Sequence, residues 1–155
     1  MIPSMPPSPN NRPLDVLMVD DEPSILDIGK QFLETFHGMR VTVVEDSSKV
    51  IDALTEGDFQ AVVSDYQMPK LDGLSLLKKV RSLGMDVPFI LFTGRGREEV
   101  AIDALNSGAD FYVQKGGEPR SQYSDLAHKV RKAVEGRDKE KRLRMERKRL
   151  ERLLN

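Results

Sequence analysis

The sequence contains no cysteine and no tryptophan, and only 6% of its 155 residues are aromatic. Without cysteine the chain has no disulfides, thiolate metal ligands or cysteine nucleophile, which agrees with a reducing compartment. No apolar run reaches the roughly 18 residues that a membrane-spanning helix requires. The N-terminus has neither a basic start nor an apolar stretch, so it does not resemble a secretory signal peptide. We therefore expect a cytoplasmic protein with no membrane partner.

The net charge of −1 conceals an uneven distribution along the chain. Residues 136–155 contain nine basic and four acidic side chains, whereas residues 1–135 contain fifteen and twenty-one. An acidic body is a poor surface for nucleic acid, so no nucleic-acid partner is expected. The basic segment at the end needs a separate interpretation.

Composition divides the chain into three segments. Five of the nine prolines fall in residues 1–13, which predicts an extended, flexible leader. Residues 14–135 alternate short apolar runs with segments of helical period, and they form the predicted domain. The apolar runs occupy residues 14–19, 40–44, 60–64, 87–92 and 110–114. Residues 136–155 have high helix propensity and predict a basic helical linker or tail.

Five alternations of strand and helix predict an α/β fold whose parallel sheet is covered by helices on both faces. Right-handed crossovers favour a doubly wound, flavodoxin-like (βα)5 arrangement with strand order 2-1-3-4-5 and a C-terminal helical extension. The first helix has an apolar stripe at Ile25, Ile28, Phe32 and Phe36. Four glycines precede the next apolar run, where we expect left-handed helix ends: Gly38, Gly57, Gly84 and Gly108.

Polar side chains follow four of the predicted strands. In a doubly wound sheet the ligand site lies beyond the carboxyl ends of the strands. The residues there are Asp20, Asp21, Asp65, Thr93 and Lys115. Three clustered carboxylates repel one another unless a cation neutralises them, and an all-oxygen donor set favours Mg²⁺. A metal, a hydroxyl and an ammonium around one nucleophilic carboxylate predict phosphoryl transfer through an acyl phosphate.

Four motifs, in this order and at this spacing, resemble the receiver domain of two-component response regulators over residues 14–135. The motifs are Val19-Asp20-Asp21-Glu22-Pro23, Ser64-Asp65-Tyr66-Gln67-Met68-Pro69 with Asp72-Gly73, Thr93-Gly94, and Ser107-Gly108-Ala109-Asp110-Phe111-Tyr112-Val113-Gln114-Lys115. The resemblance implies that a histidine kinase phosphorylates Asp65 and that Thr93 and Lys115 contact the phosphoryl oxygens. It implies that Mg²⁺ is held by Asp21, Asp65 and the backbone carbonyl of Gln67, with Asp20 acting largely through a bound water. Tyr112 would be an aromatic switch whose rotamer follows Thr93.

The resemblance further implies a phosphoacceptor switch and not a stand-alone enzyme. The domain would assist its own phosphorylation and dephosphorylation, and it would control a downstream protein or an attached output domain. The alternative is a receiver-like interaction or dimerisation module that does not use phosphorylation. A phosphohydrolase with an aspartyl intermediate is disfavoured because Gln67 stands where a second acid is needed.

Two segments leave alternatives open. Gly116 and Gly117 follow Lys115 where the family usually has proline, so we expect a loop of different shape and greater mobility. Residues 136–155 are either a solvated helix or a connector to an output or kinase module, in which case the chain is a fragment of a longer regulator or hybrid kinase. The tail carries a thin leucine stripe, and a dimer would form through this helix or through the surface of the fourth and fifth helices.

Overall fold

The structure is a computed structural model that describes residues 12–94 and 98–155. Strands and α-helices alternate along the described chain: β1 (Leu14–Val19), α1 (Pro23–His37), β2 (Met39–Val44), α2 (Val50–Glu56), β3 (Ala61–Ser64), α3 (Gly73–Ser82), β4 (Phe89–Thr93), α4 (Glu98–Asn106), β5 (Phe111–Gln114) and α5 (Pro119–Leu154). A short 3₁₀ turn, Ser47–Lys49, leads into α2. Most of the predicted leader, residues 1–11, lies outside the described residues.

The strands form one parallel sheet in the order β2-β1-β3-β4-β5, which confirms the flavodoxin-like prediction. In the sheet register Val19, the last residue of β1, lies opposite both Val44 and Ser64. Thr93, the last residue of β4, lies opposite Gln114. The carboxyl ends of the strands therefore reach the same edge, and the residues that follow them start from one row.

Successive side chains of each strand point to opposite faces of the sheet, and the core accordingly has two layers. In β4, Ile90 and Phe92 belong to the apolar cluster that α1 and α5 cover. Phe89 and Leu91 belong to the cluster on the side of α2, α3 and α4. All four side chains are buried, because an interior strand of a parallel sheet is covered on both faces.

The buried face of α1 differs from the predicted stripe. The helix buries Leu26, Gly29 and Leu33. Ile28 and Phe36, two members of the predicted stripe, are 41% and 56% exposed, so that part of the prediction was wrong. The cause is a close approach at Gly29, where a Cβ atom would lie 2.6 Å from Cε of Met18. Gly29 is therefore part of the packed face, although it contributes no apolar side chain to the sequence pattern.

Three of the four glycines predicted at helix ends have the expected left-handed backbone, and Gly57 does not. Gly57 has φ −105° and ψ 168°, which is extended backbone. A Cβ atom there would lie 2.6 Å from Cε2 of Phe59 and 3.2 Å from the carbonyl oxygen of Ala53. Glycine at this position therefore serves a close approach of side chain and backbone, and the left-handed prediction was wrong.

The last helix, α5, runs unbroken for 36 residues and confirms the predicted helical extension. Its buried residues all lie in the first half: Tyr123, Leu126, Ala127, Val130 and Ala133. Beyond Gly136 the apolar side chains are exposed, from 52% at Leu143 to 85% at Leu154. Across the parts of the chain that the structure describes, no helix is long and apolar enough to span a membrane.

Candidate functional site

Backbone hydrogen bonds continue the sheet by one residue at the ends of three strands. The N–H of Asp20 donates to the carbonyl of Val44 at 3.2 Å, and the N–H of Asp65 donates to Val19 at 3.0 Å. The N–H of Lys115 donates to the carbonyl of Thr93 at 2.7 Å. These bonds fix the backbone of the two aspartates and the lysine at the edge of the sheet, so their side chains start from rigid positions.

Three carboxylates meet beyond this edge. Asp20, Asp21 and Asp65 each place one carboxylate oxygen within 4.8 Å of the others. Asp20 is buried, Asp65 is half-buried and Asp21 is exposed, so the cluster is open to solvent on one side. Two of the carboxylates accept backbone hydrogen bonds. The N–H of Glu22 donates to Asp20 at 3.0 Å, and the N–H of Tyr66 donates to Asp65 at 2.8 Å.

Lys115 inserts its ammonium between two of the carboxylates. Its Nζ lies 2.8 Å from Oδ2 of Asp20 and 3.4 Å from Oδ1 of Asp65. The same nitrogen lies 5.5 Å from the centroid of the Phe92 ring, within the range of a cation–π contact. One ammonium balances only one of three carboxylates. The hollow keeps an excess of negative charge and hard oxygen donors, which suits Mg²⁺.

A cavity of about 450 Å³ adjoins the carboxylates. Its lining is Asp21, Tyr66, Gln67, Met68, Pro69 and Asp72. Gln67, the predicted carbonyl ligand, therefore lies on the same hollow as the exposed carboxylate of the cluster. The chain between β3 and α3 forms most of this wall, so its conformation sets the shape of the site.

Thr93 and Tyr112 lie on the same face of the sheet. Thr93 ends β4 and is 3% exposed. Tyr112 pairs with Leu91, two residues before Thr93, and packs half-buried against the cluster on the α2, α3 and α4 side. The geometry brings the two predicted switch residues to neighbouring positions. Residues 95–97, which follow Thr93 and Gly94, lie outside the described residues.

The first residue of α3 fits closely against the backbone of Asp65. A Cβ atom on Gly73 would overlap the carbonyl oxygen of Asp65 and lie 2.8 Å from Cδ1 of Leu91. The N–H of Gly73 donates to the carbonyl of Tyr66 at 2.8 Å, and Asp72 caps the helix by accepting from Ser75 at 2.7 Å. Asp72-Gly73 belongs to one of the four sequence motifs, but the sequence did not predict the close approach of Gly73 to the backbone of Asp65.

The loop after β5 has a backbone that proline could not adopt. Gly116 has φ 142° and Gly117 has φ 83°, whereas the proline ring fixes φ near about −65°. The N–H of Gly116 donates to Oε1 of Gln122 at 3.0 Å, which ties the loop to the first turns of α5. The loop therefore has a conformation that requires glycine, and its difference in shape and mobility from the family stays a prediction.

Behind the carboxylates lies a buried tyrosine of α5. Tyr123 is 3% exposed, and its ring centroid lies 5.4 Å from that of Phe32 and 5.9 Å from that of Phe92. Burial, and then the negative charge of Asp20, raise the pKa of Tyr123. The phenol stays neutral at physiological pH and links the helix α5 electrostatically to the acidic hollow.

A second polar cluster, unforeseen from the sequence, lies at the opposite end of β5. Arg81 of α3 donates to the carbonyl oxygens of Gly108, Met85 and Val87 at 2.8, 2.9 and 2.7 Å. Arg137 of α5 donates to Oδ1 of Asp110 at 2.8 Å. No local motif marks these arginines, because the contacts of Arg81 with Gly108 and of Arg137 with Asp110 each join residues 27 positions apart.

The acidic cluster at the carboxyl edge of the doubly wound sheet lies where ligands bind in open α/β sheets. Residues 16–127 match the family model described as response regulator receiver domain, so the chain belongs to the response regulator receiver family. It is therefore a receiver domain of the two-component type.

Known proteins of this class resemble the chain in sequence and in fold. The response regulator SaeR of Staphylococcus aureus is 36% identical over 105 residues, which cover 68% of this chain and 45% of that protein. The chain thus spans less than half the length of this curated relative. The receiver domain protein (CheY-like) from Methanospirillum hungatei is 31% identical with a TM-score of 0.72, covering 83% of this chain and 98% of that one. A receiver domain protein from Clostridium thermocellum is 28% identical with a TM-score of 0.72, covering 81% and 97%.

Proposed function

We propose that Asp65 accepts a phosphoryl group from a histidine kinase in the presence of Mg²⁺, and that the change is passed to a partner protein or an attached domain. The observation that carries this proposal is the position of Lys115, whose ammonium lies within 3.4 Å of Asp65 and 2.8 Å of Asp20. A cation at hydrogen-bonding distance from a nucleophilic carboxylate stabilises charge on an incoming phosphoryl group.

The residues of the hollow have separate roles in the proposed phosphoryl transfer. An oxygen of Asp65 attacks the phosphorus, the P–N bond to the kinase histidine breaks, and the imidazole leaves with the electron pair. The metal would be held by Asp20, Asp21, Asp65 and the carbonyl of Gln67. When bound, it neutralises negative charge on the phosphoryl oxygens. Lys115 turns toward one phosphoryl oxygen and the hydroxyl of Thr93 donates to another. Attack by water later reverses the modification.

The helix α4 is the element best suited to respond. Its one buried residue among those described is Ala104, whereas Ile102 and Leu105 are 64% and 50% exposed. A helix with so little buried surface changes position at low cost in free energy. Recruitment of Thr93 to the phosphoryl group would leave space that Tyr112 fills. The surface formed by α4 and α5, with its exposed apolar side chains, would then bind a partner or a second copy.

An interaction module that does not use phosphorylation is the second candidate. It is favoured by the leucines of α5 beyond the sheet, since Leu143, Leu150 and Leu154 are all more than half exposed. Such side chains on a helix are suited to pairing with another helix. This candidate predicts that the oligomeric state is unchanged when phosphate analogues are added.

Replacement of the nucleophile tests the proposal. Asp65→Asn, incubated with a small phosphodonor and Mg²⁺, should show no gain of a phosphoryl group by mass spectrometry, while its melting temperature stays near that of the wild type. Asp52→Asn, on the exposed first turn of α2, removes a carboxylate away from the cavity and should be labelled normally. Labelling of the Asp65 variant would place the modification elsewhere.

Beryllofluoride separates the two candidates. Tyr66 lines the cavity, Tyr112 lies near Thr93, and the chain has no tryptophan, so tyrosine fluorescence reports on the site. The phosphoacceptor predicts a change in fluorescence that requires both Mg²⁺ and beryllofluoride. An unchanged spectrum at saturating concentrations of both would favour the interaction module. The cytoplasmic location stays a prediction.

A further inference from the structure

Two contacts join the loop before α2 to the loop before α3. The hydroxyl of Ser47 donates to the carbonyl oxygen of Pro69 at 3.1 Å, and Ser47 is 2% exposed. The ammonium of Lys70 lies 2.9 Å from Oδ2 of Asp46. We call these two contacts the loop strap. They connect segments 22 and 24 residues apart in sequence, so neither contact follows from local turn formation.

The strap ends on a strained turn. Lys70 has φ 70°, the only positive φ of a non-glycine residue in the described ranges. The N–H of Leu71 donates to the carbonyl of Pro69 at 2.8 Å, so three residues close a γ-turn around Lys70. A γ-turn with a left-handed central residue is rare and strained in L-amino acids. Such strain persists where surrounding contacts hold it, and it concentrates at functional sites.

The segment held by the loop strap forms most of the wall of the cavity beside the carboxylates. At its start, the carbonyl of Tyr66 accepts the N–H of Gly73 at 2.8 Å. Met68, near its middle, is buried to 9% exposure in the core, and Pro69, at its end, accepts from Ser47. Gln67 lies between these fixed points with an exposed side chain, so its backbone is constrained from both sides while its side chain is free of the core.

We propose that Ser47 and the Asp46–Lys70 ion pair are positioning elements of the metal site. They hold the loop in the strained turn and thereby keep the carbonyl oxygen of Gln67 directed into the hollow. This inference rests on the proposed function, in which that carbonyl is a magnesium ligand. Mutation of residues that orient a metal ligand without touching the metal commonly weakens metal binding on the order of tenfold or more.

A merely structural strap predicts a different result from a positioning strap. The Asp46–Lys70 pair is exposed, and exposed ion pairs contribute little to stability. Lys70→Gly removes the ion pair and also relieves the unfavourable φ, so the two effects on stability oppose each other. The variant should therefore melt near the wild-type temperature. If the strap positions the ligand, the same variant binds Mg²⁺ more weakly although its fold is intact.

Direct titration with Mg²⁺ by calorimetry, at fixed ionic strength, tests the inference together with thermal melting. Ser47→Ala should raise the Kd for Mg²⁺ on the order of tenfold, and Ser47→Thr, which keeps the hydroxyl, should restore it. Ser82→Ala deletes a hydroxyl bond of 2.7 Å to the carbonyl of Lys79, away from the cavity, and should leave the Kd unchanged. Should Ser47→Ala fail to fold, Lys70→Gly decides the question by its weaker binding.

The outcomes are distinguishable from a failure of the proposed function. If the wild-type chain binds no Mg²⁺, or if Asp65→Asn is still phosphorylated, the proposed function fails at its own step. If the wild type binds Mg²⁺ and both Lys70→Gly and any folded Ser47→Ala variant bind it with wild-type affinity, the strap is structural only. Weaker binding without loss of stability, restored by the hydroxyl of threonine, supports the positioning role.

Discussion

Replacing Gly73 by alanine tests how closely α3 fits against the proposed phosphoacceptor. The added Cβ would overlap the carbonyl oxygen of Asp65 and lie 2.8 Å from Cδ1 of Leu91. The leucine can change rotamer, but the carbonyl belongs to the backbone at the end of β3. Because the N–H of Gly73 is bonded to Tyr66 at 2.8 Å, the start of the helix cannot move away without breaking that bond.

The size of the effect follows from these contacts. Ordinary contact between two heavy atoms requires about 3.5 Å, so the helix start must shift by about 1 Å or more. Overpacking of this kind costs about 1–3 kcal/mol, and the lost backbone hydrogen bond adds about 1 kcal/mol. We expect Gly73→Ala to lower the free energy of unfolding by about 3 kcal/mol. For a chain of this size, that corresponds to a fall of about 10 °C in Tm.

The assay is thermal and urea unfolding followed by far-UV circular dichroism, with Gly136→Ala as the matched control. Nothing lies within 4 Å of a Cβ built on Gly136, which sits inside α5. There alanine should stabilise the protein by up to about 1 kcal/mol, because glycine is a poor helix former. The same substitution thus has opposite signs at two positions. A Gly73→Ala protein that melts within about 2 °C of the wild type would refute the close approach.

Three further predictions follow from single side chains. Arg137→Gln should lower the free energy of unfolding by about 1–2 kcal/mol and speed hydrogen exchange in the second half of α5. The reason is that the 2.8 Å bond from Arg137 to Oδ1 of Asp110 is lost. Burial, and then Asp20, raise the pKa of Tyr123 above its ordinary value of 10. The resulting stabilisation is present below that value and is lost as the pH rises through the folded-state pKa. Tyr123→Phe should remove this loss of stability in urea unfolding at alkaline pH. Lys115→Met should bind Mg²⁺ more tightly in calorimetry while losing phosphorylation, since a competing cation is gone.

Opposite outcomes would contradict each of these arguments. Unchanged exchange in α5 of Arg137→Gln would show that the helix beyond the sheet is independent of the Asp110 contact. An identical alkaline stability curve for Tyr123→Phe would mean that the phenol titrates alike in the folded and unfolded states. Weaker Mg²⁺ binding by Lys115→Met would mean that the ammonium supports the metal site instead of competing with it.

The sheet was predictable from the sequence because its strands are short apolar runs, of which β1, β3 and β4 are largely buried. The buried face of α1 was not predictable in the same way, because a glycine lies at its middle. Gly29 contributes no apolar side chain to a stripe, yet it lets the helix approach Met18 and turns Ile28 toward solvent. Gly57 shows the same limit, since its close approach to Phe59 depends on how the chain turns after α2.

The carboxyl edge of the sheet was predictable for a topological reason. A parallel sheet of known strand order brings its strand ends together, so Asp20, Asp65 and Lys115 meet whatever the loops do. The strap at Ser47 and the contact of Arg137 with Asp110 have no such constraint. Each depends on the length and direction of a loop or helix, and no pattern of residue types within either segment specifies them.

The ammonium of Lys115 lies at unequal distances from the two carboxylates that it contacts. It lies 2.8 Å from Asp20 and 3.4 Å from Asp65, so its shorter contact is with Asp20 and not with the proposed phosphoacceptor. On the proposed function, Asp20 gives up part of its attraction for the lysine when its charge is shared with Mg²⁺, and the ammonium becomes available to the phosphoryl oxygens. By linkage, a phosphoryl group that draws Lys115 away from Asp20 must strengthen metal binding by the same factor. On the proposed function, the single lysine would therefore couple metal and phosphoryl occupancy without any movement of the sheet.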